Sequence, residues 1–310
     1  MKRTVYFCLF LSFAAIGKAG NKQPIDSTYI DSIRNIEYQL EGLSFNIING
    51  EDVNERITSC YYFIQTLKKA LKVPTSFDYT FTKLKTVSIL KPKDEKFRIF
   101  TWNLLLDSNR YIYFGAIQMN TDTDSLILFG LHDSSDKIKN PEFEVLDHRH
   151  WIGALYYQVH EFKQKGDTYY MLFGWDGDDA KINKKVVDIL WFDENDKPQF
   201  GAPFFLIDDD FQNRLIFEFA DYAVMLCRYD DNEKAIVYAN MIPPNPLQAG
   251  RYEYYIPDGT YNFLKFTKGF WINSSNELFL DRQRYRHELR NRSPFKEEQE
   301  KNNNGGKKAK

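Results

Sequence analysis

Four of the chain's five histidines fall close together, as His132, His148, His150 and His160, and Asp133, Asp147 and Glu161 stand beside them. Neutral imidazole is a ligand for transition metals such as zinc. Alternate residues of a strand point to the same face, so a strand through His148 and His150 would present both rings together. A metal-dependent hydrolase would use such a pair to activate water. No helical His-Glu-x-x-His pattern accompanies them, and polar histidines at a loop or sheet edge account for the same residues.

The second candidate is the run Trp175-Asp176-Gly177-Asp178-Asp179. Clustered carboxylates in a loop are hard oxygen ligands that could hold calcium, yet an EF-hand loop wants Gly sixth and Glu twelfth. Here Gly177 is second and Val187 twelfth, so that motif fails. The run reads instead as a hairpin loop whose Trp175, Asp176, Asp178 and Asp179 could meet a ligand. Trp102, Trp151, Trp175, Trp191 and Trp271 could stack on sugar rings, although indole also fills sheet cores.

Other chemistries lack their patterns. There is no Gly-x-Ser-x-Gly elbow and no glycine-rich phosphate loop behind a strand. A glycosidase needs two carboxylates across a cleft. With 43 acidic residues, pairing them on paper selects nothing.

The elements that must position these residues divide the chain into helical and strand text. Ile33, Ile36, Leu40 and Leu43 recur at helical spacing, with Gly42 as a stop. Val53, Ile57, Cys60, Ile64, Leu67 and Leu71 recur likewise, after acidic Glu51 and Asp52 and before Lys68, Lys69, Lys72 and Pro74. These predict two antiparallel helices, about 24–41 and 50–72, in a helical segment of residues 20–76. Residues 77–273 then alternate apolar runs with short polar turns such as 107–110, 163–167, 193–197, 230–234 and 267–268. Turns that short join antiparallel neighbours.

The expected fold class is therefore α+β, a helical pair packed on a large antiparallel β meander, as an open curved sheet or a sandwich. The turns 193–197 and 230–234 share Asp, acid, Asn, acid, Lys after an aromatic residue. Their spacing is near that of propeller blades, which keeps a partial β-propeller-like arrangement as an alternative.

Compartment is read from the first nineteen residues. Lys2 and Arg3 precede an uncharged, mostly apolar run from Thr4 to Ile16, and Gly17-Lys18-Ala19 ends it with small residues. That is the order of a signal peptide, with cleavage expected after Ala19 and a secreted or periplasmic mature chain. No later run is long enough to span a bilayer, so no transmembrane anchor is expected in the mature chain. Loss of Cys8 with the signal leaves Cys60 and Cys227, either as a disulfide or as two separate buried thiols. The net charge of −2 gives no pull toward nucleic acid. Residues 274–310 read as a charged, partly disordered tail, in which Asn276–Arg292 could form a charged helix and Lys301–Lys310 has too little apolar surface to fold.

Three phrases, Phe97-Arg98-Ile99-Phe100-Thr101-Trp102-Asn103, Tyr169-Tyr170-Met171-Leu172-Phe173-Gly174-Trp175-Asp176-Gly177 and Phe200-Gly201-Ala202-Pro203-Phe204-Phe205, give the chain its character. In these it resembles exported proteins of Bacteroidetes, a resemblance that implies an envelope location and no particular activity. The leading expectation is a non-enzymatic binding module whose envelope partner is a protein or a glycan. A metal-dependent hydrolase at His148 and His150, with calcium or a transition metal as cofactor, is the alternative. A purely structural surface protein is the third reading.

Overall fold

The structure, a computed structural model, describes residues 27–107, 110–121, 125–207 and 209–273. The expected signal sequence and tail lie outside them. Two helices come first, α1 (Ser27–Asn49) and α2 (Val53–Leu71). The Asp52 carboxylate caps α2 by accepting from the Asn54 and Glu55 amides at 2.7 and 2.9 Å, and the Glu55 carboxylate accepts from the Glu51 amide at 2.8 Å. A reciprocal arrangement of this kind satisfies amides that have no partner inside the helix.

Gly42 does not stop α1, which continues to Asn49. An interior glycine costs a helix about 1 kcal/mol, and burial of Ser44 and Ile47 beyond it outweighs that cost. The buried face of α2 is Cys60, Phe63, Leu67, Ala70 and Leu71, whereas Ile57 and Ile64 stay 46 % and 38 % exposed. Phe63 and Ala70 widen the apolar arc to one side and pull the contact face toward themselves, leaving the opposite margin of the expected stripe in water.

Among the described residues, sixteen strands form three sheets. The first holds β1 (Ser88–Leu90), β2 (Phe97–Asp107), β3 (Arg110–Met119) and β4 (Leu128–His132), in that order. The second holds β5 (Leu146–Asp147), β6 (Leu155–Gln164), β7 (Asp167–Asp176), β8 (Ile182–Phe192) and β9 (Pro198–Phe200), ordered β5-β9-β8-β7-β6, with β12 (Leu215–Ala220) also on β8. The third runs β11-β10-β16-β15-β14-β13, from β10 (Phe205–Ile207), β11 (Asp210–Gln212), β13 (Cys227–Asp230), β14 (Ala235–Ile242), β15 (Ile256–Thr267) and β16 (Phe270–Ile272). The fold is thus α+β, with the hairpins at 107–110, 163–167, 193–197, 230–234 and 267–268 as expected. It departs from a pure meander where β10 pairs with β16 in parallel.

Side chains alternate across each sheet and define the layers. In β2 and β3, Phe100, Trp102 and Phe114 face the helices, while Phe97, Ile99, Tyr113 and Ile117 face the second sheet. In β7 and β8, Tyr170, Leu172, Val186 and Leu190 join that core, while Met171, Phe173, Val187 and Ile189 pack on the third sheet. The order of layers is helices, first sheet, second sheet, third sheet. The second sheet is covered on both faces, which is why its strands read as continuous apolar runs. The repeated turns are local devices within separate sheets. Asp193 accepts from the amides of Asn195 and Lys197, and Asp230 from those of Asn232 and Glu233.

Two arginines are buried within this stack. The Arg98 guanidinium donates to the carbonyls of Tyr79 and Ser76 at 2.6 and 2.7 Å and to the Gln118 amide oxygen at 2.8 Å, among Phe77, Phe81 and Phe100. It ties the 76–79 turn to the first sheet. Arg214, fully buried, meets fully buried Asp188 at 3.1 Å and donates to the carbonyls of Pro141 and Glu144. Cys60 and Cys227 are free thiols in different cores.

Candidate functional site

The loop between β7 and β8 carries the acidic run, and its shape follows from its residues. The Asp176 carboxylate accepts from the Asp178 amide at 2.9 Å, and the Asp179 carboxylate accepts from the amides of Lys181 and Ile182 at 2.7 and 3.0 Å. Asp178 takes a left-handed backbone angle, φ 32°, a region that Asp tolerates better than most residues. Gly177 lies against the first sheet. A Cβ there would stand 2.5 Å from the Tyr111 ring and 2.9 Å from Trp175, so only glycine allows the approach. Tyr111 and Trp175 meet edge to face at 5.6 Å.

Tyr113, from β3, reaches across to the same loop, where its hydroxyl accepts from the Gly177 amide at 2.7 Å. Beyond β4, Asp133 is held from four directions. One oxygen accepts from the Ser135 amide and hydroxyl at 3.1 and 2.6 Å and the Gly153 amide at 3.3 Å; the other accepts from the Tyr113 amide at 3.1 Å. Lys184, at the start of β8, meets Asp178 at 2.9 Å and Glu218 at 3.5 Å. Tyr111, Tyr113, Asp133, Asp176, Asp178 and Lys184, with Arg110 and Lys137, line a cleft of about 640 Å³ between the first two sheets. That is within the roughly 300–1,000 Å³ of small-ligand sites.

The electrostatics single out Asp176. Its side chain is 8 % exposed. Burial, reinforced by the neighbouring Asp178 charge, pushes its carboxyl up to about 6, against the Asp178 amide, Lys184 and the Tyr113 hydroxyl, which favour the anion. Burial likewise raises the Tyr113 phenol, with the Asp176 charge adding to it. Burial alone would lower the Lys184 ammonium, but Asp178, Glu218 and Asp176 outweigh it and raise it above the ordinary lysine range. The cleft thus sets a firm cation beside a carboxyl that changes its proton near neutral pH. Such a carboxyl can donate a hydrogen bond or accept one, and a group tuned in this way within a cleft is a candidate functional group.

The structure brings Asp176 and Asp178 into one cleft, with Trp175 at its margin against Tyr111. Asp179 is spent on the loop's own amides. His148 and His150 lie in a turn after β5 rather than along a strand, so strand alternation does not align them. The His148 ring packs on Phe129 at 5.3 Å, and His150 pairs with Asp147 at 2.8 Å. His132 lines a different cavity, and His160 stacks on Tyr229 at 3.4 Å. Among the described residues no three of His, Cys, Asp and Glu are arranged to hold a metal ion.

Sequence reasoning missed Tyr113, Lys184 and the role of Asp133. Tyr113 reads as one aromatic residue of an alternating strand, and nothing local signals that its hydroxyl crosses to another sheet. No protein-family model matches the chain, and comparison with curated proteins and with solved structures finds no match. No helix among the described residues is long and apolar enough to cross a membrane.

Proposed function

We propose that the chain is an exported, non-enzymatic binding module of the cell envelope that takes a glycan in the Asp176 cleft. The observation that carries this reading is the buried Asp176 carboxyl, held near neutral pKa opposite the Lys184 cation in a polar cleft. Sugar hydroxyls both donate and accept hydrogen bonds, and this wall offers an anion, a cation and a carboxyl able to do either. Tyr111 and Trp175 add aromatic surface of the kind that meets sugar C–H faces.

Calorimetric titration of the full chain with a panel of neutral envelope oligosaccharides tests it. One of them should saturate, and Asp176→Asn should weaken it about tenfold, the worth of one hydrogen bond to a charged group. A panel without saturable binding, or binding indifferent to Asp176→Asn and Lys184→Met, would remove the proposal.

The raised carboxyl favours a second reading, in which Asp176 acts as the general acid of a hydrolase. In that case Asp176→Asn abolishes turnover of glycosides with poor leaving groups, which need the proton, far more than of those with good leaving groups, and spares the binding of both. The metal-dependent version at His148 and His150 has less support, since Asp147 engages the His150 ring and no three His, Cys, Asp or Glu side chains among the described residues are grouped to hold a metal.

A further inference from the structure

A second cavity opens on the helical side of the first sheet, as a groove of about 670 Å³ between α2 and strands β3 and β4. Leu67, Trp102, Phe114 and Leu128 form its walls. Phe114 and Leu128 are only partly buried and Ile64, at its edge, is exposed, so apolar surface here faces water. The floor includes Gly130, an exposed residue of β4, where an added Cβ would meet only the His132 Nε2 at 3.9 Å. Any larger residue at this position would stand in the groove.

The polar rim carries the cations Lys68 and Lys72, the His132 imidazole and the Asp133 carboxylate. Lys68 and Lys72, one turn apart at the end of α2, are exposed, and neither makes an ion pair among the described residues. Asp133 borders the groove, but the amides of Tyr113, Ser135 and Gly153 and the Ser135 hydroxyl occupy its carboxylate. An apolar trough with unpaired cations at one end is complementary to a chain with an anionic head. Its volume suits a small molecule better than a folded partner.

We propose that this groove binds one long-chain fatty acid, the alkyl chain lying along Leu67, Phe114 and Leu128 and the carboxylate on Lys68 and Lys72. The groove meets the Asp176 cleft at Ile112, Tyr113 and Asp133, and the proposal stands without the glycan reading.

Titration of the full chain with decanoate, dodecanoate and tetradecanoate, by displacement of a fluorescent fatty acid, tests it. Each added methylene should tighten binding about fourfold. Lys68→Gln with Lys72→Gln should weaken the carboxylates roughly three- to tenfold, as exposed ion pairs do, and leave the matching fatty alcohols unchanged. Gly130→Leu should abolish both, whereas Asp176→Asn should alter neither. Absence of saturable binding, affinity independent of chain length, or equal loss of acid and alcohol in the lysine double variant would overturn the proposal. So would unchanged affinity in a Gly130→Leu chain whose circular dichroism matches that of the parent.

Discussion

Replacing Asp176 by Asn should make the protein more stable, and by an amount that depends on pH. The Asp176 carboxyl rises from 3.8 to about 6, chiefly because burial disfavours its anion. Each unit of difference between folded and unfolded chains is worth about 1.4 kcal/mol. Two units therefore cost the fold up to about 3 kcal/mol once the group is ionised in both states. The sign follows from proton counting. Between pH 3.8 and about 6 the folded chain holds a proton that the unfolded chain has lost. Stability therefore falls as pH rises through that window and levels off above it.

Asn keeps an oxygen for the Asp178 amide and carries no charge to desolvate, so the variant should lack this fall. Urea unfolding of both proteins, followed by tryptophan fluorescence from about pH 4 to pH 8, measures the difference. The two curves should lie close together near pH 4, and Asp176→Asn should be more stable by about 1–3 kcal/mol at pH 7. A constant offset across the range, or a variant weaker at pH 7 than at pH 4 relative to the parent, would refute the assignment of a strained carboxyl. A residue whose removal stabilises the fold is one retained for another purpose, a recurrent mark of binding and catalytic sites.

Further outcomes follow from the buried groups. Arg98→Met should destabilise by about 3–5 kcal/mol, since the carbonyls of Ser76 and Tyr79 and the Gln118 amide oxygen lose their donor inside the fold; thermal unfolding by calorimetry reads it. Asp188→Ala should cost a similar amount by stranding the Arg214 charge, while Asp188→Leu with Arg214→Met should recover only part of the loss, because the carbonyls of Pro141 and Glu144 then lose their donor, as chemical denaturation of both variants would show. Burial pushes the Cys227 thiol up to about 12 and raises Cys60 as well. Iodoacetamide at about pH 8 should therefore label neither thiol until denaturant is added, as mass spectrometry would record.

Much of the fold was legible because its signals are local. The α2 boundaries follow from Asp52 before the helix and Pro74 after it, and the turns at 193–197 and 230–234 each carry an Asp that accepts from the turn's own amides. What was illegible is non-local. The parallel pairing of β10 with β16 joins segments more than sixty residues apart and leaves no trace in either. The outward turn of Ile57 and Ile64 depends on where α2 meets Trp102 of β2, which helical spacing alone does not fix. At the site, the acidic run was visible and the residues that make it a cleft were not. Tyr113 and Asp133 acquire their roles only when the first sheet is laid against the second.

The doubly covered second sheet ties the fate of the two ends of the chain together. A fragment ending near Phe200 would present Met171, Phe173, Val187 and Ile189 to water, and one beginning near Leu146 would bare Tyr170, Leu172, Val186 and Leu190. Either bared face would be a contiguous apolar patch of the kind that drives association. A nascent chain would therefore hold an adhesive surface open until Trp271 and Ile272 arrive, making the interval between the second sheet and these residues the period of greatest exposure to self-association.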